Sequence, residues 1–262
     1  MSEAQKRPFV AGNWKMHRTI PEARGLVRGI LEGAPGVAGA DLVVIPPFTA
    51  LSEVAGILRG TRVKLGGQDL YWEEKGAFTG EVSGPMLRDA GCSHVIVGHS
   101  ERRQHFGETD ETVNRKVGAA LKAGLTPILC VGETLEEHET GRTVGKVDAQ
   151  LEKGLAGRTP EEVRSVVLAY EPIWAIGTGR TASPSQAEEV QARIRRRLEE
   201  KYGNETAACA IILYGGSVKP TNSYSLFKEK DIDGFLVGGA SLEADSFIGI
   251  AREALRAYGE ET

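Results

Sequence analysis

Short runs of consecutive apolar residues alternate with longer segments whose apolar positions recur at helical spacing. The repeat is roughly 30 residues, the size of one strand-plus-helix unit, and eight such pairs fill the chain. The apolar runs are Phe9–Gly12, Leu42–Ile45, Val63–Gly66, His94–Val97, Pro127–Val131, Val166–Tyr170, Ala210–Leu213 and Phe235–Val237. Apolar at successive positions and rich in β-branched residues, they predict strands covered on both faces. The segments between them carry helix signals: Thr19 ahead of Pro21-Glu22, Ser183 ahead of Pro184, and Gly124 closing Ala119–Ala123. Strands alternating with helices pair in parallel through right-handed crossovers. Eight units predict an α/β protein of one domain, residues 1–262, closed into a (β/α)8 barrel. The alternative is an open doubly wound sheet, but no G-x-G-x-x-G follows the first strand.

The 262 residues, 40% of them hydrophobic, suffice for one large core. A formal charge of -4 gives no support for nucleic-acid binding. The basic string Arg193–Arg197 is followed by Glu199 and Glu200 in a helical pattern, which reads as a solvated helix face. Cys92, Cys130 and Cys209 lie far apart in or beside apolar runs. They form neither a disulfide framework nor a zinc pattern and fit a reducing compartment. The N-terminal MSEAQKRP has no apolar signal core, and no run approaches the roughly 18 residues of a membrane span. These features together predict a soluble cytoplasmic protein with no membrane partner.

In a barrel of this kind, chemistry collects on the loops leaving the C-terminal ends of the strands. The sixth strand ends at a single carboxylate, Glu171, with Pro172 directly behind it. The proline disfavours helical backbone at Glu171 and so holds the acid extended. The loop beyond carries Ile173, Trp174, Ile176, Gly177 and Gly179. An apolar loop has something to cover, and the reading is a catalytic base beneath a hinged, water-excluding lid. After the fourth strand, Gly98-His99-Ser100-Glu101-Arg102-Arg103 places an imidazole at a helix N-terminus, where the dipole disfavours imidazolium. A zinc deaminase would also show H-x-E, but the P-C-x-x-C partner is missing.

After the first strand, Asn13-Trp14-Lys15 sets a cation beside an amide, suited to an anionic substrate. Tyr214-Gly-Gly-Ser217 and Gly238-Gly239 follow the seventh and eighth strands. Their glycines let main-chain N–H groups approach a phosphate, and with Gly177 and Ser217 they make the expected phosphate grip. The long Gly66–Ser83 loop carries Tyr71, Trp72 and Phe78, expected to be exposed. Cys130 reads as a packed, inert thiol, and Glu133 as a supporting acid.

The string Ala169-Tyr-Glu-Pro-Ile-Trp-Ala-Ile-Gly-Thr-Gly179, with Asn13-Trp14-Lys15 and Gly98–Arg103, resembles the triosephosphate isomerase family, from Phe9 to about Arg256. The resemblance implies interconversion of dihydroxyacetone phosphate and D-glyceraldehyde 3-phosphate through an enediol(ate), a step of glycolysis and gluconeogenesis. In that family a carboxylate base works beside a neutral histidine, which assigns those parts to Glu171 and His99; the pairing is the family's known chemistry and not a derivation from these residues. It further implies that Lys15 supplies positive charge near the reacting oxygen and phosphate, that Asn13 helps orient them, and that Glu101 interacts with Lys15. No metal or organic cofactor is implied. The Tyr71–Thr79 loop is expected to join a homodimer, with Thr79 reaching the partner's Asn13–Lys15 region. Asp69 and His17 depart from the family pattern, which commonly has an amide at the first position and often another polar residue, such as asparagine, at the second. Other phosphosugar barrels share the glycine loops but not the Lys15, His99 and Glu171 set, and a barrel used only as a binding scaffold has no need of all three.

Overall fold

A computed structural model describes residues 7–176 and 181–260. Gly177 and Gly179, expected in the lid, lie outside the described residues. The strands are β1 (Phe9–Asn13), β2 (Asp41–Ile45), β3 (Lys64–Gly67), β4 (His94–Val97), β5 (Thr126–Val131), β6 (Val167–Tyr170), β7 (Ile211–Tyr214) and β8 (Gly234–Val237). Each pairs in parallel with the next, and β8 returns to β1 with Phe9 opposite Gly234, closing the barrel. Strand limits differ from the sequence expectation by a residue or so. Tyr214, for example, extends β7 because it pairs with Tyr170.

Helices α1 (Ile20–Gly33), α2 (Leu51–Leu58), α3 (Gly84–Asp89), α4 (Ser100–His105), α5 (Asp110–Lys122) and α6 (Leu135–Glu139) belong to the first five crossovers. The remainder are α7 (Thr143–Gly154), α8 (Pro160–Arg164), α9 (Pro184–Tyr202), α10 (Asn204–Cys209), α11 (Pro220–Phe227) and α12 (Ala244–Gly259). The expected caps form. The Glu22 carboxylate accepts from Thr19 N–H at 2.7 Å, and Ser183 Oγ accepts from Gln186 N–H at 3.2 Å. Among the described residues no helix is long and apolar enough to cross a membrane.

Side chains alternate along each strand, which explains why the strands are apolar on both faces. One row, including Ala11, Val43, Ile45, Ile96, Ile128, Ala169, Leu213 and Leu236, fills the barrel interior. The other row, with Val10, Leu42, Val44, Val95, Val97, Leu168 and Ile212, packs against the helices. Each such side chain contributes about 1.5–3 kcal/mol on burial, so the strand ends that carry the polar groups sit on a stiff base.

Two sequence expectations are corrected. Arg195 is not part of a solvated face. Its guanidinium pairs with Asp231 and with Asp233 at 2.7 Å, and donates to Ala207 O at 2.8 Å and Ala210 O at 3.0 Å. Asp233 also accepts from Ile212 N–H at 2.8 Å, so Arg195 ties α9 to the starts of β7 and β8. The second correction concerns the aromatic residues of the Gly66–Ser83 loop. Tyr71 packs at a tilt against Trp72, centroids 4.1 Å apart, and Phe78 at 4.6 Å, and Arg115 lies 4.2 Å over the Trp72 ring. Tyr71 and Trp72 are therefore half-buried, leaving Phe78 as the exposed ring.

Candidate active site

Polar side chains from four strand ends meet in one cavity of about 260 Å³. It is lined by Asn13, Lys15, His99, Glu171 and Ile176, and by the loops holding Ser217, Gly238 and Gly239.

Glu171 is 2% exposed at the end of β6. Its N–H donates to Val131 O at 2.8 Å, continuing the barrel ladder one step past the strand. Gly132 alongside must be glycine: a Cβ there would stand 1.8 Å from Glu171 O. Glu171 Oε1 is 3.0 Å from His99 Nε2 and accepts from Ser100 Oγ at 3.2 Å, while Oε2 accepts from Ser100 N–H at 2.9 Å. Burial works to raise the Glu171 pKa. It is overcome by the His99 charge and hydrogen bond, the Ser100 N–H and Lys15, so the carboxyl is held below the ordinary range.

His99, buried at the start of α4, has Nδ1 accepting from Glu101 N–H at 3.2 Å. Two influences on its charge disagree. Burial lowers its pKa, but the Glu171 charge and hydrogen bond, with Glu101, turn the net direction upward. Against that, an imidazolium has no lone pair at Nδ1 to take the Glu101 N–H.

Lys15 adopts φ 51°, a positive angle that costs a non-glycine residue about 1–3 kcal/mol. The turn is held from both sides: Asn13 Oδ1 accepts from Lys15 N–H at 3.0 Å, and Gln68 Nε2 donates to Lys15 O at 2.7 Å. Lys15 Nζ donates to Glu101 Oε1 at 2.6 Å, the contact expected from the sequence. Glu101 itself is outside the cavity lining and reaches it through that lysine. Asn222 Nδ2 donates to Ser217 O at 3.0 Å, and Ser241 donates to Gly238 O through both N–H (2.8 Å) and Oγ (2.7 Å). Both glycine loops thus have fixed backbones at the cavity wall.

Three features were not legible in the sequence: the Ser100 grip on Glu171, the Gln68 brace, and the Trp174 contact with Glu133. The lid was expected to cover the acid with Ile173, Trp174 and Ile176. Trp174 is not among the residues lining the cavity; its Nε1–H donates at 2.7 Å to Glu133 Oε1, which also accepts from Tyr170 OH at 3.0 Å. Of those three side chains, Ile176 lines the cavity. Glu133, fully buried, is the supporting acid expected. Cys130 is a packed thiol that burial, then Glu171, pushes well above its ordinary range. Asp69 does not keep the uncharged contacts of an amide. It is buried against Lys116 at 2.6 Å and Arg102 at 2.9 Å.

A closed parallel barrel that gathers a carboxylate, an imidazole and an ammonium in one cavity at its C-terminal mouth defines a barrel enzyme. The triosephosphate isomerase family profile matches residues 8–254, so the chain belongs to the triosephosphate isomerase family and is an isomerase. It is 57% identical over 245 residues to the triosephosphate isomerase of Moorella thermoacetica, covering 94% of this chain and 98% of that one. It is 53% identical over 247 residues to the Geotalea uraniireducens triosephosphate isomerase, again 94% and 98% of the two chains. The crystal structure of triosephosphate isomerase from Bartonella henselae superposes with a TM-score of 0.86 at 41% identity, covering 95% of this chain and 99% of that one.

Proposed function

We propose that the protein interconverts dihydroxyacetone phosphate and D-glyceraldehyde 3-phosphate, with Glu171 as the base. The observation that carries this reading is the 3.0 Å approach of Glu171 Oε1 to His99 Nε2 in a cavity that also holds Lys15 and the two glycine loops. In this reading His99 turns neutral, with its hydrogen on Nε2, once substrate displaces Glu171 and removes the charge that favours the imidazolium. The Glu101 N–H is a fixed backbone donor that persists whichever way the Glu171 side chain points, and the helix N-terminus acts in the same sense.

The present contacts describe a resting enzyme. Glu171 is stabilised as an anion and occupies the His99 Nε2–H that a substrate oxygen needs. A bound triose phosphate displaces it. The carboxylate, freed from its donors and shielded from water, takes the proton from the carbon next to the carbonyl. The C–H electron pair becomes the C=C bond of the enediolate, whose oxygens receive hydrogen bonds from His99 Nε2–H and Lys15 Nζ. Protonated Glu171 then returns the proton to the neighbouring carbon. One carboxyl group both takes and gives the proton, so the step calls for no cofactor. Ser217, Gly238 and Gly239 hold the phosphate, and binding there supports closure of the lid. Gly177, assigned to the same grip, lies outside the described residues. A coupled isomerase assay on the purified protein, with Glu171→Gln as control, tests the reading; absent turnover, or turnover unchanged in the variant, rejects it.

The chain is read as one domain acting as a homodimer in the cytoplasm. The dimer is supported by Phe78 and Thr79, exposed at the tip of the projecting loop, and by an open groove of about 700 Å³ lined by Met16, His17, Thr49 and Gly239. Met16, next to Lys15, is 93% exposed, which a partner's loop would cover. Sedimentation velocity at micromolar concentration tests this, and a fully active monomer rejects it.

A further inference from the structure

We propose that Gln150, on α7 and outside the cavity lining, is a positioning residue for the proton transfer: its side-chain carbonyl fixes the peptide group that holds the main chain of Glu171. The inference rests on Glu171 being the base. That peptide group joins Val131, the last residue of β5, to Gly132. Its C=O accepts from Glu171 N–H at 2.8 Å, and its N–H donates to Gln150 Oε1 at 2.7 Å. One peptide plane thus carries the pull of Gln150 on one edge and the backbone of the base on the other. Gln150, Gly132 and Glu171 are all buried.

The barrel ladder explains why a side chain is needed there. In a trans peptide the C=O and N–H point in opposite directions, so with Val131 O turned to Glu171, Gly132 N–H faces away from it. The strand on that side is β4, whose pairing with β5 ends at Val97 opposite Leu129 before the chain turns at Gly98, φ 72°. At the height of Gly132, β4 has left the ladder and Gln150 takes its place as acceptor; a buried N–H without one is costly. The helix that carries Gln150 sits close on β5, since a Cβ on Gly154, one turn further along, would stand 3.2 Å from Leu129 Cδ2. Gly154 O also accepts from Asn114 Nδ2 of α5 at 3.0 Å. On the other edge, Gly132 packs directly on Glu171 O, so a tilt of the peptide shifts both main-chain ends of the base. Ile173 N–H donates to Glu133 O at 3.1 Å and carries the displacement on. At rest Ser100 and His99 also hold the carboxylate. Those side-chain contacts are given up when substrate enters, and the acid is then placed by its main chain. Gln150 therefore bears on the chemical step and little on capture of the phosphate.

The test uses the full-length protein with Gln150→Met, which fills the space without an oxygen, and Gln150→Glu, which keeps one. In Gln150→Met, kcat should fall by about 10- to 100-fold, the scale of a misplacement near 1 Å, while KM and the inhibition constant of inorganic phosphate stay within error. Gln150→Glu should recover most of that loss. A lowered urea midpoint with kcat unchanged in Gln150→Met makes Gln150 a packing residue and overturns the proposal, as does an equal loss of kcat in both variants. Two further measurements need no substrate. In nitrogen–proton correlation spectra, Gln150→Met should move the amide signals of Gly132 and Glu171 and leave those of Ser217 and Gly239 in place; unmoved Gly132 and Glu171 signals overturn the proposal. In the wild type, Gly132 N–H should exchange with solvent as slowly as Glu171 N–H, and exchange at the rate of an exposed loop overturns the proposal even where a variant does not fold. Both stand or fail separately from the isomerase reading.

Discussion

Ser100 holds Glu171 with both of its hydrogen-bond donors, the backbone N–H to Oε2 at 2.9 Å and Oγ to Oε1 at 3.2 Å. A carboxylate gripped this way is a stable anion and a weak base. The same contacts that keep it ionised inside the barrel must be given up before it can act on carbon, and the remote phosphate is the source of binding energy for that exchange.

Glu171→Gln keeps the size of the side chain and its ability to accept from Ser100, but cannot take a proton. We expect kcat to fall by about 10²–10⁴-fold, the usual loss on removing a general base. The fold should be preserved, as judged by an unchanged urea midpoint. Near-normal turnover in the coupled assay would show that the proton is taken elsewhere.

His99→Gln retains a donor but moves it off the axis set by the Glu101 N–H at Nδ1. Stabilisation of a developing oxyanion depends on a donor already aimed, so the loss should fall on kcat, on the order of 10²-fold, with KM little changed. A change confined to KM would make His99 a binding group only.

Much of this arrangement is legible along the chain because it is local. Strands buried on both faces show as apolar runs, caps show as Thr19 ahead of Pro21-Glu22 and Ser183 ahead of Pro184, and the site motifs fall at successive strand ends. What escaped the sequence are contacts between distant residues. Ser100 and Glu171 are 71 positions apart, Lys116 and Asp69 are 47, and Arg195 and Asp233 are 38. Nothing in a basic string such as Arg193–Arg197 tells which arginine faces inward; that depends on where the β7 and β8 starts place Asp231 and Asp233. The Trp174 contact escaped for a similar reason, since the acid that accepts its N–H, Glu133, lies on the loop after β5.

Ser100→Ala removes one of the donors to Glu171 and leaves the backbone N–H. Burial alone would raise the Glu171 pKa, and the His99 and Ser100 contacts reverse that direction. Its ionised form therefore contributes stability that is present above the unfolded glutamate value and is lost as pH falls through the lower folded one. The acid limb of kcat/KM, which reports the free enzyme, should lie on the acid side of the ordinary glutamate range. In Ser100→Ala it should move upward, because the charged form loses one hydrogen bond. An unmoved limb would mean that the Oγ contact does not load the base.

Lys116 is buried between two carboxylates, 2.6 Å and 2.9 Å from the Asp69 oxygens and in contact with Glu108, with Arg102 closing the square. Burial is the main influence on Asp69 and Glu108 adds to it; with Lys116 and Arg102 opposing, the Asp69 pKa still stands at about 6. Lys116→Met fills the space but leaves Asp69 and Glu108 facing each other with one cation between them. Breaking a buried pair in this way costs about 3–5 kcal/mol, so the urea midpoint at pH 7 should drop accordingly. The deficit should shrink on acidification. A carboxyl whose folded pKa is raised binds more protons in the native state than in the unfolded chain, so stability rises as pH falls through the folded value. Without Lys116 to oppose protonation that rise should begin above pH 6, the folded value that about 6 describes in the wild type. Unfolding curves for both proteins at pH 7 and at pH 5 decide the matter: a deficit of the same size at both would place the cost in packing rather than in the two carboxylates.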